Sequence, residues 1–131
     1  MLQARGQPGN GSVPAPDARW SFDDDARDSV GEHHGELLSG AKIRDGRLIL
    51  DGVASHMRSA PLDRDIHEKT LEAWVSLSNL DQRGGGVIGL DTPEEQIFDS
   101  IVFGEINPGH WLAGSDFYHR SQDPGGTVET A

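Results

Sequence analysis

The sequence predicts an all-β fold, a two-sheet antiparallel sandwich or jelly roll, on three observations. Short strand-like runs recur along the chain. Gly, Asp and Pro punctuate them at close intervals. No stretch keeps a 3.6-residue apolar period long enough for a major helix.

Residues 1–16 collect Gly6, Pro8, Gly9, Gly11, Pro14 and Pro16 with almost nothing to bury, which reads as a flexible linker. Asn10-Gly11-Ser12 matches a glycosylation acceptor, a three-residue match of little weight in such a segment. Strands are expected at 19–22, 36–38, 47–50, 56–58, 70–77, 87–90, 97–103 and 110–113. Asp45-Gly46 and Asp51-Gly52 are turn dipeptides that bracket Arg47-Leu48-Ile49-Leu50 and fix a short strand between them. Residues 62–68 suffice for one helical turn at most. The strongest strand signal is 70–77. Leu71, Ala73, Val75 and Leu77 alternate with Thr70, Glu72, Trp74 and Ser76, so one face is expected in a core. The other face, half polar but carrying Trp74, suits a sheet surface partly covered by loops or used for shallow binding.

A chain of 131 residues with 34% hydrophobic content and 17 Gly is of one-domain length and able to bury a core. Its net charge of −11 repels phosphate backbones and anionic membrane surfaces, which argues against nucleic acid as a partner. The acidic residues are spread through turns, the pattern of a solubilised β-protein surface. Zero Cys excludes disulfides, thiolate metal sites and Cys nucleophiles. No apolar run approaches the roughly 18 residues of a membrane span, so membrane insertion is not expected, and Met1 to Pro8 lacks the apolar core of a signal peptide.

Read in order, several pieces form one succession: Trp20-Ser21-Phe22-Asp23, Asp28-Ser29-Val30-Gly31, His34-Gly35-Glu36-Leu37, Gly40-Ala41, Leu48-Ile49-Leu50-Asp51-Gly52 and Leu71-Glu72-Ala73-Trp74-Val75. That succession resembles the laminin-G-like, concanavalin A-like jelly-roll family, over about residues 18–116. Gly84-Gly85-Gly86-Val87-Ile88-Gly89-Leu90 and Phe98-Asp99-Ser100-Ile101-Val102-Phe103-Gly104-Glu105 extend the likeness to such domains in large exported bacterial proteins that also carry c-type haem modules. Members of that family continue with a strand reading like Trp-x-His-Val-Ala and with further strands that close both sheets, and this sequence has none of them before Ala131. The resemblance therefore implies an incomplete jelly roll. Residues 17–122 would be the N-terminal part of the domain and residues 123–131 a disordered tail. Neighbouring domains of a longer polypeptide would be partners, and the setting extracellular or periplasmic.

Candidate chemistry is sparse. A retaining glucanase needs two carboxylates about 5–5.5 Å apart. Asp99 and Glu105 share strand parity but are too far apart along a strand for that geometry, so no catalytic residues are assigned. Gly84, Gly86 and Gly89 spell G-x-G-x-x-G, yet Val87 and Ile88 and then Thr92-Pro93 follow where a helix would be required, so a hairpin or loop is expected. Asp23, Asp25 and Asp28, with Asp24, offer hard oxygen ligands for Ca²⁺, the one cofactor entertained, but lack the Gly and closing Glu of an EF-hand loop; a solvated acidic turn is the alternative. His33 and His34 diverge on any strand and have no spaced third His, which favours surface or turn roles over zinc.

Sugar recognition on β-sandwiches stacks pyranose faces on Trp or Tyr and binds the hydroxyls with nearby carboxylates and amides. Trp74, and Trp111, Asp116, Tyr118, His119 and Arg120 in a late turn-rich stretch, are the materials for it. The resemblance sets a packing role for Trp20 and Trp74 beside that reading. The expectation is a non-catalytic binding or adhesion module with a carbohydrate or protein ligand. A structural spacer or protein-interaction domain is the alternative, and a divergent glycoside hydrolase a third.

Overall fold

The computed structural model describes residues 14–92, 97–115 and 128–130. Among these the protein is all-β. Its strands form small antiparallel sheets, and there is no helix. The chain divides into two compact units, Met1–Leu62 and Asp63–Ala131.

The first unit is built on a nested hairpin. Asp45 and Gly46 both take positive φ, 53° and 69°, as a two-residue type I′ turn demands; Gly supplies this conformation without steric cost, and Asp tolerates it. Arg44 and Arg47 exchange both backbone hydrogen bonds across the turn, at 3.0 and 3.2 Å. The turn joins β2 (Lys42–Ile43) to β3 (Leu48–Ile49), in which Ile43 faces Leu48. Outside this inner pair, β1 (Gly35–Leu38) pairs with β4 (His56–Ser59), from Gly35 opposite Ser59 to Leu38 opposite His56. Residues 39–41 separate the two ladders on one arm and residues 50–55 on the other. The longer arm absorbs its excess in a turn closed by Asp51. Its Oδ1 accepts from the backbone N–H groups of Val53, Ala54 and Ser55 at 2.8–3.0 Å and from the Ser55 hydroxyl. These bonds, those to Ser55 foremost, hold the Asp51 carboxyl well below the ordinary carboxylate range. The expected strand at 19–22 is reduced to an isolated antiparallel bridge between Trp20 and Asp28.

The second unit is a three-stranded meander, β5 (Gly86–Asp91), β6 (Phe98–Phe103) and β7 (Trp111–Ser115). Ile101 faces Ala113 and Phe103 faces Trp111 on one side of the β6–β7 ladder; Val102 faces Leu112 on the other. Val102, Phe103 and Leu112 are the buried hydrophobic residues among the described residues of this unit, and Phe103 is 1% exposed. A bulge between Gly86 and Ile88 shifts the β5–β6 register. Gly104, at φ 65°, turns the chain out of β6 where a Cβ would collide with the Gln82 carbonyl oxygen, so both conformation and space require glycine. Gly84 and Gly85 lead into β5 and not into a helix, as expected of that loop.

The expected strand at 70–77 is not formed, and this corrects the strongest sequence signal. These residues pair with no strand among the described residues. Leu71 and Leu77 are half-buried, whereas Ala73 and Val75, placed in a core by their alternation, are exposed. Alternation states which side chains share a face, but a strand also needs a neighbouring backbone to complete its hydrogen bonds. The jelly-roll closure implied by the resemblance would require that neighbour.

Candidate functional site

The second unit contains an open recess of about 770 Å³. Its apolar wall joins Ala73, Val75, Leu77 and Leu80 to Ile101 and Trp111. Ser78, Asn79, Asp81, Glu129 and Thr130 supply polar groups. Ile101 and Trp111 come from the same face of β6 and β7, because Ile101 opposes Ala113 and Trp111 opposes Phe103.

Trp111 is held at both ends. Its ring packs on Phe103 with centroids 4.8 Å apart and planes tilted by 55°, and its Nε1 donates to Glu129 Oε1 at 3.0 Å. Glu129 is placed in turn by its own backbone N–H, which donates to the Gly109 carbonyl at 2.9 Å. Residues 128–130, at the end assigned to a disordered tail, thus enter the site through Glu129. One contact ties the segment on the other side of the recess to the sheet. Lys69 Nζ forms an ion pair with Asp99 Oδ2 on β6, both side chains being mostly covered. Beyond Leu77, Asp81 N donates to Asn79 Oδ1 at 3.0 Å in an Asx turn, which sets Asn79 and Asp81 at the rim.

Of the residues the sequence singles out, Trp111 lines the recess. Trp74 does not: it is 97% exposed, because alternation that turns Ala73, Val75 and Leu77 toward the recess turns Trp74 away. A packing role for Trp74 is corrected by the same observation. Asp116, Tyr118, His119 and Arg120 lie outside the described residues. Sequence reasoning missed Asn79, Asp81 and Glu129. The Ser78-Asn79-Leu80-Asp81 turn is a signal that locates the first two, since turns carry adaptable polar groups; nothing local marks Glu129.

The acidic turn of the first unit is organised for a different purpose. Asp28 is buried, 6% exposed, and its carboxylate serves the backbone. Oδ1 accepts from Arg19 N and Val30 N, both at 2.9 Å, and Oδ2 from His33 N at 3.2 Å. Shielding from water acts to raise its pKa, but the backbone N–H groups of Arg19, Val30, Gly31 and His33 outweigh it and lower the pKa to about 2. Asp25 turns instead to Arg27, accepting its backbone N–H at 2.8 Å and lying 3.4 Å from its guanidinium. Among the described residues no three His, Asp or Glu side chains come together as a metal site would require.

The histidines take turn roles. His34 Nδ1 accepts from Asp28 N at 3.2 Å, which leaves the ring proton on Nε2 facing Glu32, 3.5 Å away. The His33 carbonyl accepts the Trp20 indole N–H at 2.8 Å.

Compared with protein-family models, with curated proteins and with solved structures, the chain matches none.

Proposed function

We propose that this chain is a non-catalytic binding module of the laminin-G-like, concanavalin A-like jelly-roll kind, working within a longer exported polypeptide, and that its ligand is a carbohydrate held in the recess of the second unit. One observation carries the reading: the recess sets the Trp111 indole and the Ile101 side chain beside Asp81, Asn79, Ser78, Glu129 and Thr130. A sugar ring presents a C–H face that packs on an aromatic and a rim of hydroxyls that exchange hydrogen bonds with carboxylates, amides and hydroxyls. Glu129 Oε1 accepts one hydrogen bond from the Trp111 indole and, as a carboxylate, has acceptor capacity for a hydroxyl besides. A net charge of −11 favours neutral sugars over anionic ones.

The test is a titration of immobilised neutral glycans with the wild-type chain, Glu129→Gln and Trp111→Ala, with thermal melts to confirm that each variant is folded. Retention by the wild type, weakened by Glu129→Gln and abolished by Trp111→Ala, is expected. No retained glycan, or retention indifferent to both changes, would replace this reading with that of a protein-interaction module or spacer. Release of reducing sugar would revive the hydrolase.

A further inference from the structure

We propose that Asp45 is a site of spontaneous backbone modification: the Gly46 nitrogen captures its side-chain carboxyl as an imide, which opens to an isoaspartate that unpins the β2–β3 hairpin. The inference concerns the first unit and is independent of the recess and its ligand.

The chain has two Asp-Gly dipeptides, Asp45-Gly46 and Asp51-Gly52. Their glycines are alike. Among the described residues neither backbone N–H donates a hydrogen bond, and both glycines take positive φ. Neither is crowded: a Cβ on Gly46 would meet only Asp23 Oδ1, at 3.9 Å, and one on Gly52 nothing within 4 Å. The carboxylates differ. Asp51 Oδ1 accepts from the N–H groups of Val53, Ala54 and Ser55 and from the Ser55 hydroxyl, and swinging the group toward Gly52 would give up these bonds. Asp45 accepts no hydrogen bond among the described residues. Its partner there is the Arg44 guanidinium, 3.6 Å away, and an exposed pair of this kind holds a side chain weakly.

The chemistry needs a protonated carboxyl and an open nitrogen beside it. The Gly46 nitrogen adds to Cγ of Asp45 and gives up its proton, the carboxyl hydroxyl leaves as water, and a succinimide ring remains. Water then adds to the ring. Opening at Cγ restores aspartate, whereas opening at the main-chain carbonyl leaves that carbonyl as a free carboxylate and routes the chain through Cβ and Cγ. Protonation separates the two sites further, because the bonds from Ser55, Val53 and Ala54 hold the Asp51 carboxyl well below the ordinary range. The consequence is local to the hairpin. A type I′ turn has room for two central residues, and isoaspartate lengthens the backbone of one. The paired Arg44–Arg47 bonds, at 3.0 and 3.2 Å, cannot both be kept. With two residues in each strand, β2 and β3 depend on that turn, while β1 and β4 pair over four positions.

The whole chain is aged at mildly acidic and neutral pH, labelled by methyl transfer with an isoaspartyl methyltransferase, and mapped by peptide. Label at Asp45 should exceed that at Asp51 at least about tenfold, since each unit by which a pKa is lowered removes tenfold of the protonated form. In denaturant the two sites should label alike, because the Asp51 bonds are gone. Asp45→Asn keeps a residue suited to the turn and loses ammonia in place of water, so it should be modified faster at the same position. Arg44 and Arg47 amides should exchange faster in the isoaspartate-bearing fraction than in the unmodified chain. Modification of Asn10-Gly11 changes the mass and that of Asp45 does not, so the two are told apart. An unlabelled Asp45, equal label at both sites of the folded chain, a preference that persists in denaturant, an Asp45→Asn variant that stays intact, or unchanged exchange at Arg44 and Arg47 would overturn the proposal.

Discussion

The β2–β3 hairpin has two residues in each strand and is paired, whereas residues 70–77 alternate over their whole length and have no partner among the described residues. The hairpin carries its partner in its own sequence. Asp45-Gly46 adopts a turn whose twist matches two antiparallel strands, so closing a very short loop supplies the second backbone. Residues 70–77 have no adjacent turn that returns the chain alongside them. Their alternation sorts side chains between two faces but leaves the backbone open. Turn chemistry therefore decides which extended segments of this protein become sheet, and alternation decides only how they would face once paired.

The same contrast separates what holds each unit. The second relies on apolar burial of Val102, Phe103 and Leu112; the first buries Ala26 and Ala41 and gathers its backbone around the Asp28 carboxylate. Phe103→Ala should have the largest effect of the changes considered, about 3–5 kcal/mol by chemical denaturation, since it empties the most buried position and removes the ring on which Trp111 rests. A loss under about 1 kcal/mol would show that the β6–β7 ladder does not depend on this packing.

Asp28→Ala should cost less, about 1–3 kcal/mol, by leaving backbone N–H groups without their acceptor. Because the folded-state pKa is lowered from 3.8 to about 2, the stability from this carboxylate is fully present above the unfolded value and is lost as pH falls through that window. Melting curves between pH 5 and about 2 should fall more steeply for the wild type than for Asp28→Ala. Parallel curves would remove Asp28 from the acid sensitivity of the first unit.

Trp74→Ala should have the smallest effect, within about 0.5 kcal/mol at low ionic strength, because an exposed indole loses almost no contacts. A cost of several kcal/mol would mean that Trp74 is packed, and that residues 70–77 are part of a core after all.

The legible part of the fold is the part written locally. β1, β3, β4, β5, β6 and β7 fall where short apolar runs and turn residues place them. β2 was not expected, because Lys42-Ile43 is too short to show a strand pattern of its own and gains its partner only through the Asp45-Gly46 turn. Trp111 was legible as an aromatic in a late turn-rich region. Its support was not: Glu129 is distant in sequence, and no local pattern announces a carboxylate that reaches an indole across that separation. Asp28 has the composition of a cation ligand, and its actual role is set by three-dimensional convergence of backbone N–H groups from Arg19, Val30 and His33.

The contrast between a paired segment and one with no partner among the described residues is tested most directly by amide hydrogen exchange, resolved by residue. Amides of β6 and β7 around Val102 and Leu112 should be strongly protected, and those of residues 70–77 should exchange at nearly the rate of an open chain. Protection of residues 70–77 equal to that of β6 in the monomer would contradict the contrast, since it would mean that this segment has a backbone partner within its own chain.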